Sequence, residues 1–323
     1  MMRFSRIGVF VLLLATVLVG TNCSYYNRVL ARKDLVDGAT AYKGRKFPDA
    51  EKLFRQAVGR DPKGENVEGK MAQLFLARTL HSIFIGNRSE KVKAEQAIAE
   101  YQKALILDPK DQSSYKAIAS LYENLQRNDE WLTWVTKRSN DTTIPPEQRA
   151  EALTSLAAKK NTCANDISDT EATKKTVTKD GKQAFQFVKP AKPEDFQALV
   201  TCVDEGMKLI DQALSVEPDS VKNATKMDIK GLSDVQLAKN QEVLKVFESA
   251  RSYKASLLVQ SMRIAEMENR TPDRDRIKGE ADAARKSFVE LSDVVKKIQA
   301  EIDERTAAKE GDAAKKAAEA NKK

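Results

Sequence analysis

Apolar positions along this chain fall mostly three, four and seven residues apart, the period of amphipathic helices. The clearest stretch is DGATAYKGRKFPDAEKLFRQAVGRDP, from Asp37 to Pro62. It reads as two helices back to back, with small residues at Gly38, Ala50 and Ala57 where larger ones would hold the axes apart. Helix axes sit roughly 8–10 Å apart, and the lower end of that range needs Gly or Ala at the crossing. Phe54 follows Ala50 by four positions, Ala57 by seven and Pro62 by twelve. A proline cannot continue the helix. Ala97, Tyr101, Ala104 and Pro109 repeat this spacing, as do Gly206, Ile210, Ala213 and Pro218, and an acid precedes each proline: Asp61, Asp108 and Glu217. Three copies of one pattern argue for an internal repeat.

With these residues on the page, the chain resembles the tetratricopeptide repeat family, whose units are helix-turn-helix pairs of about 34 residues. The first unit, Ala31 to Pro62, carries the resemblance through Gly38, Phe47, Ala50, Phe54, Ala57 and Pro62. The resemblance implies an all-α solenoid of about five helix pairs over residues 23–305. In the second pair, Ala77 takes the place of Gly38, and its distance to Ala97 is 20 residues against 12 in the first pair. Eight additional residues therefore lengthen a helix or the turn near Gly86 to Ser89. The third pair starts at Asp111, a good N-cap, with Tyr115, Ile118, Ala119 and Tyr122 inward. Trp131 stands where the repeat expects a small residue, which predicts looser packing. The fourth pair is split: one helix from Pro146 to about Cys163, the other from about Pro193 to Val216. Between them, in an insertion placed at 166–193, Thr176 to Thr178 and Ala184 to Val188 flank Asp180-Gly181, a common hairpin-turn pair. An isolated hairpin is marginal in water, so it must lean on something. The fifth pair runs from about Leu232 to Met267 and from Asp273 to about Arg305. Residues 306–323 read as an Ala/Lys-rich tail, disordered or a frayed helix.

The N-terminus changes the picture. Arg3 and Arg6 precede the fourteen-residue apolar run Ile7 to Gly20, the length of a signal-peptide core rather than a comfortable membrane span. Residues 1–22 are thus expected to be a signal peptide. LVGTNC, Leu18 to Cys23, resembles the lipobox of bacterial lipoproteins, with Asn22 and Gly20 departing from its pattern. That resemblance implies lipidation of Cys23 and an extracytoplasmic, membrane-anchored protein in the periplasm or at the outer membrane. Plain secretion or an uncleaved anchor is the alternative.

The formal net charge of +8 says little about nucleic acid. Arg3 and Arg6 supply two of these charges and the stretch Arg305 to Lys323 a surplus of three. The body is left mildly basic, without the concentrated basic face that nucleic acid demands. His81 is the single histidine and has no Cys or acid motif at metal-ligand spacing around it. The 13 glycines form neither G-x-G-x-x-G nor a Walker-type run. No enzyme, cofactor, metal or small-molecule substrate is expected. Of the three cysteines, lipidation of Cys23 would leave Cys163 and Cys202. Cys163 closes one helix of the split pair and Cys202 opens its antiparallel partner, which makes them neighbours: a disulfide, or alternatively two small buried thiols.

The family resemblance further implies a groove lined by the first helix of each pair. Its exposed positions would be Arg32, Leu35, Ala39, Tyr42 and Lys43, then Arg78, His81 and Ser82, then Lys116, Ser120, Glu123 and Asn124. Some relatives clamp C-terminal carboxylates with a Lys and an Asn one turn apart, where this chain has Leu35 and Ala39. The function expected is therefore an adaptor that holds a peptide or helical segment of another protein and assembles an envelope complex. The alternative is a structural envelope-binding protein acting through the basic tail and the hairpin.

Overall fold

The computed structural model describes residues 6–179 and 181–320, with side chains over 25–178 and 181–314. The described residues form eleven α-helices and a two-stranded antiparallel sheet, the all-α arrangement of successive helical hairpins with one small β insertion. The chain divides into two compact units, residues 1–131 and 132–323.

In the first unit, α1 (Arg6–Lys43) pairs with α2 (Phe47–Arg60), α3 (Val67–Gly86) with α4 (Lys91–Leu107), and α5 (Gln112–Asn124) follows. The start of α6 (Asn128–Ser139) closes this unit. α1 is continuous through Cys23. The side chains of residues 1–24, on which the signal peptide and the lipidation of Cys23 rest, lie outside the described ones.

The small residues do what their spacing demands. Ala50, Phe54 and Ala57 are fully buried, and a Cβ placed on Gly38 would lie 2.7 Å from Phe54 Cε1. The eight additional residues of the second pair go almost entirely into helix. Relative to the first pair, α3 runs four residues further past Ala77, the turn gains one, and α4 begins three residues earlier before Ala97. Met71 and Ile85, apolar residues of α3, are exposed instead of packed.

The acid before Pro62 works as a connector. Asp61 accepts the backbone N–H groups of Glu65 and Asn66 at 3.0 and 2.9 Å, which fixes the chain's entry into α3. Asp111 caps α5 by accepting from the N–H groups of Ser113 and Ser114 and from both hydroxyls. Burial works against its charge, but the bonds from Ser114 and Ser113 outweigh that and hold its pKa below the usual carboxylate range. Trp131 and Val135, on α6, are buried. The bulky residue is therefore accommodated where a small one was expected.

In the second unit, α7 (Pro146–Ser168) and α8 (Pro193–Ser215) pack against each other and against α10 (Asp234–Met267), which in turn pairs with α11 (Thr271–Ala320). α7 outlasts its expected end at Cys163 by five residues, so the insertion begins after Ser168. A short helix, α9 (Asp219–Lys222), and a 3-10 turn, Ala224–Lys226, follow the proline that ends α8; the sequence pattern did not announce them. α11 continues to Ala320, so the tail after 305 is helical as far as it is described. One core joins Leu153, Ile210, Leu237, Leu244, Phe247, Leu257, Leu291 and Ile298. Val289 of α11 lies outside this core and is exposed. Arg251 ties three elements: it donates to Glu217 at 2.7 Å, beyond α8, and to the Ser287 carbonyl of α11 at 3.1 Å.

The hairpin consists of β1 (Lys174–Lys179) and β2 (Lys182–Phe187), with Thr176 opposite Phe185 and Val177 opposite Ala184. Gly181 has φ +73°, the left-handed backbone that a tight turn needs. Asp180 lies outside the described residues. The hairpin leans on α10 as its size requires. Phe187 is buried beside Ile264 and Met267, and the Arg263 guanidinium lies over its ring at 4.4 Å. Beneath it, Ser168 donates to Gln260 at 2.8 Å, both of them buried. Cys163 and Cys202 are at bonding distance, Sγ to Sγ 2.07 Å, and join α7 to α8 at the base of the insertion.

Candidate functional site

The groove positions all fall in the first unit, on α1, α3 and α5. Tyr42 sits one residue before the end of α1, and helical periodicity turns it toward α3. Its hydroxyl lies 3.0 Å from Ser82 Oγ. Its ring meets Phe47 edge-on at 5.5 Å and Phe75 at 6.2 Å. Phe75 in turn stacks on Phe54 at 5.5 Å, so the surface aromatic is continuous with the buried core. One turn further along α3, Arg78 places its guanidinium 5.5 Å from the Phe75 ring centre. It also donates to Ser113 Oγ at 3.0 Å, at the start of α5. A cation over an aromatic face is held by the ring quadrupole. This contact and the Ser113 bond fix Arg78 in place while leaving it half-buried.

His81 is half-buried beside Tyr101 of α4, ring edge to face at 6.0 Å, with Nδ1 3.4 Å from the phenol oxygen. Burial, and secondarily the Arg88 charge, pull its pKa below the ordinary histidine value, which keeps it neutral near pH 7. Burial pushes the Tyr101 phenol far up, so its hydroxyl remains a donor. The neutral imidazole thus works as a packed, hydrogen-bonded spacer.

Tyr42, Ser82, Phe75, Arg78 and Ser113 therefore form one connected line from α1 across α3 to α5. Arg32, Lys43, Lys116, Glu123 and Asn124 are exposed, while Leu35, Ala39 and Ser120 are half-buried. Asn124 donates to the Ser120 carbonyl at 2.8 Å, which is helical back-bonding within α5. Arg32 and Lys43 share α1 with Tyr42.

Phe75 and Ser113 are the members of the line that the spacing rules did not single out. Phe75 reads as core on any helical wheel, and Ser113 reads as the capping turn after Asp111. Their double role becomes visible only once α3 and α5 are side by side.

Another concavity of this unit, of about 640 Å³, lies between α1 and α2. It is lined by two acids (Asp37, Asp49), two lysines (Lys46, Lys52) and apolar atoms of Ala41 and Leu53. Among the described residues no three His, Cys, Asp or Glu side chains stand where they could hold a metal ion. No helix among them is long and apolar enough to cross a membrane. A scan against protein-family models and a search of curated proteins both find no match to this chain.

Proposed function

We propose that the chain is a non-enzymatic scaffold of the tetratricopeptide-repeat type, whose groove along α1, α3 and α5 holds a peptide or helical segment of another protein. The observation that carries this reading is the connected line Tyr42, Ser82, Phe75, Arg78 and Ser113. It offers apolar ring area, a fixed cation and hydroxyls across three successive first helices. Side chains held in place before binding lose less entropy on contact, which favours docking at such a surface. Arg32, Lys43 and Lys116 add positive charge around the line, and Glu123 with Asn124 gives polar contrast at its far end.

The second part of the proposal is its location. The apolar run Ile7 to Gly20 and Cys23 support export and lipid anchoring on the extracytoplasmic side. A lipid-modified Cys23 would hold the first unit close to a bilayer, at about 0.8 kcal/mol per buried CH₂.

A photo-crosslinking residue at Lys116, compared in living cells with one at Ile106, tests the groove. Ile106 is 78% exposed and belongs to α4, a second helix. A discrete protein adduct from position 116, absent from position 106 and lost on Tyr42→Ala, is the expected result. Equal adducts from both positions would remove the groove from the function. Metabolic labelling with a fatty-acid probe, lost on Cys23→Ser, tests the anchor.

A further inference from the structure

The hairpin belongs to the second unit and plays no part in the groove. A two-stranded sheet has two edges, and in an antiparallel pair alternate residues exchange both backbone bonds while those between them point N–H and C=O outward. The Val188 N–H bonds the Thr173 carbonyl at 2.9 Å, which sets the phase. From the register, 175 with 186 and 177 with 184 are then exchanging pairs. Thr176 and Thr178 of β1, and Phe185 and Phe187 of β2, point their backbone groups outward.

The two edges have different fates. On β2, α10 covers the base: the outward Phe187 N–H donates to the Glu266 carboxylate at 3.4 Å. On β1, no protein group takes the outward N–H of Thr176 or Thr178 among the described residues, and both residues are exposed. An open strand edge is a template for another strand. Its charge narrows the choice of strand, because residues 174–192 hold six lysines against one aspartate. Lys174 pairs with Asp169 and Lys189 with Glu268, which leaves Lys175, exposed on β1 and donating to the Glu171 carbonyl at 2.8 Å, and Lys182, exposed across the turn at the start of β2. A second copy would bring six lysines against six. Lipid headgroups would meet the charge but offer no ladder of donors and acceptors at strand spacing.

We propose that the open edge of β1 takes an extended, acidic segment of a partner protein as a third strand. Thr176 and Thr178 supply the backbone bonds, Lys175 meets the carboxylates from the same strand, and Lys182 adds positive charge from across the turn. This is strand addition, in which main-chain bonds give affinity and flanking side chains give selectivity. The anchoring of the hairpin on α10 holds the edge in place before the segment arrives.

Fluorescence anisotropy of the full chain tests the proposal with a dye-labelled octapeptide of alternating Glu and Thr. Its comparators are the same peptide N-methylated at alternate residues, an alternating Lys-Thr peptide and phosphatidylglycerol vesicles. Binding of the Glu-Thr peptide is expected, at least tenfold weaker after N-methylation and at least tenfold weaker for Lys175→Glu with Lys182→Glu. Thr176→Pro deletes one outward N–H, a change that edge strands tolerate, and should weaken binding by a similar factor. Should that variant lose the hairpin, the N-methylated peptide on the unaltered chain still decides the question. Equal affinity for the N-methylated peptide would reduce the site to bare charge and overturn the proposal. Failure of every peptide to bind, or vesicle binding without peptide binding, would overturn it too.

Discussion

The α1/α2 pair of the first unit and the α7/α8 pair of the second carry the same small, bulky, small signature, yet their connections differ greatly. Three residues, Gly44 to Lys46, link α1 to α2, whereas Asp169 to Lys192, with a hairpin among them, separate α7 from α8. Both pairs form. Helix pairing therefore depends on the matching faces more than on the path between them, in line with a closure cost that rises only with the logarithm of loop length. The two pairs secure that contact differently. α1 and α2 use close approach, with Phe54 filling the space that Gly38 leaves open. α7 and α8 add a covalent tie between Cys163 and Cys202, 39 positions apart.

Five variants test this contrast, in descending order of expected effect. Phe54→Ala should cost about 3–5 kcal/mol, since it empties a fully buried site. Hydrogen exchange should place the loss in α1 to α3, and unchanged protection there would show that Phe54 is not the keystone. Replacing both Cys163 and Cys202 by serine should cost about 4 kcal/mol in the chain-entropy account, read as loss of protection in α7, α8 and the hairpin while α1 and α2 are unaffected. Gly38→Ala should cost about 1–3 kcal/mol through overpacking against a ring that cannot retreat. Gly206→Ala, on α8 at the position that Ala50 holds in α2, should cost under about 1 kcal/mol. There the new methyl meets the end of Leu257 at 2.8 Å, which can turn aside, and alanine's helix propensity offsets part of the strain. Replacing residues 169–192 by three glycines would cut the separation of the cysteines from 39 to 18. The stabilisation that their bond supplies should fall by about 0.7 kcal/mol, measured as the difference between oxidised and reduced forms in urea.

Much of the helical architecture was legible because it rests on local signals. The small residues of α2, α4 and α8, the cap at Asp111 and the hairpin turn at Gly181 each announce themselves within a few positions. The acid-proline pairs marked helix ends, but not what the acids do: Asp61 organises the following turn, while Glu217 reaches Arg251, 34 residues away. The additional turn of α7, from Ala164 to Ser168, also escaped the pattern. Its small and polar residues look like a loop, yet Ser168 and Asn165 are satisfied by Gln260 of α10. Of the groove, Tyr42, Arg78 and His81 could be placed by analogy of position. The partnership of Phe75 with Arg78 and Ser113 could not, since it depends on the offset between α3 and α5.

The reach of α10 sets the order in which the two units can mature. In the first unit each pair is completed by helices adjacent to it in the chain, so pairs can lock as residues emerge from a ribosome. In the second, Ser168 and Asp169 wait for Gln260 and Arg263, 92 and 94 positions downstream. α7, α8 and the hairpin base thus stay without their α10 partner until that distant segment has been delivered. For that interval the cysteine bond is the one covalent hold on the half-built unit, and this is when folding helpers would have most to protect.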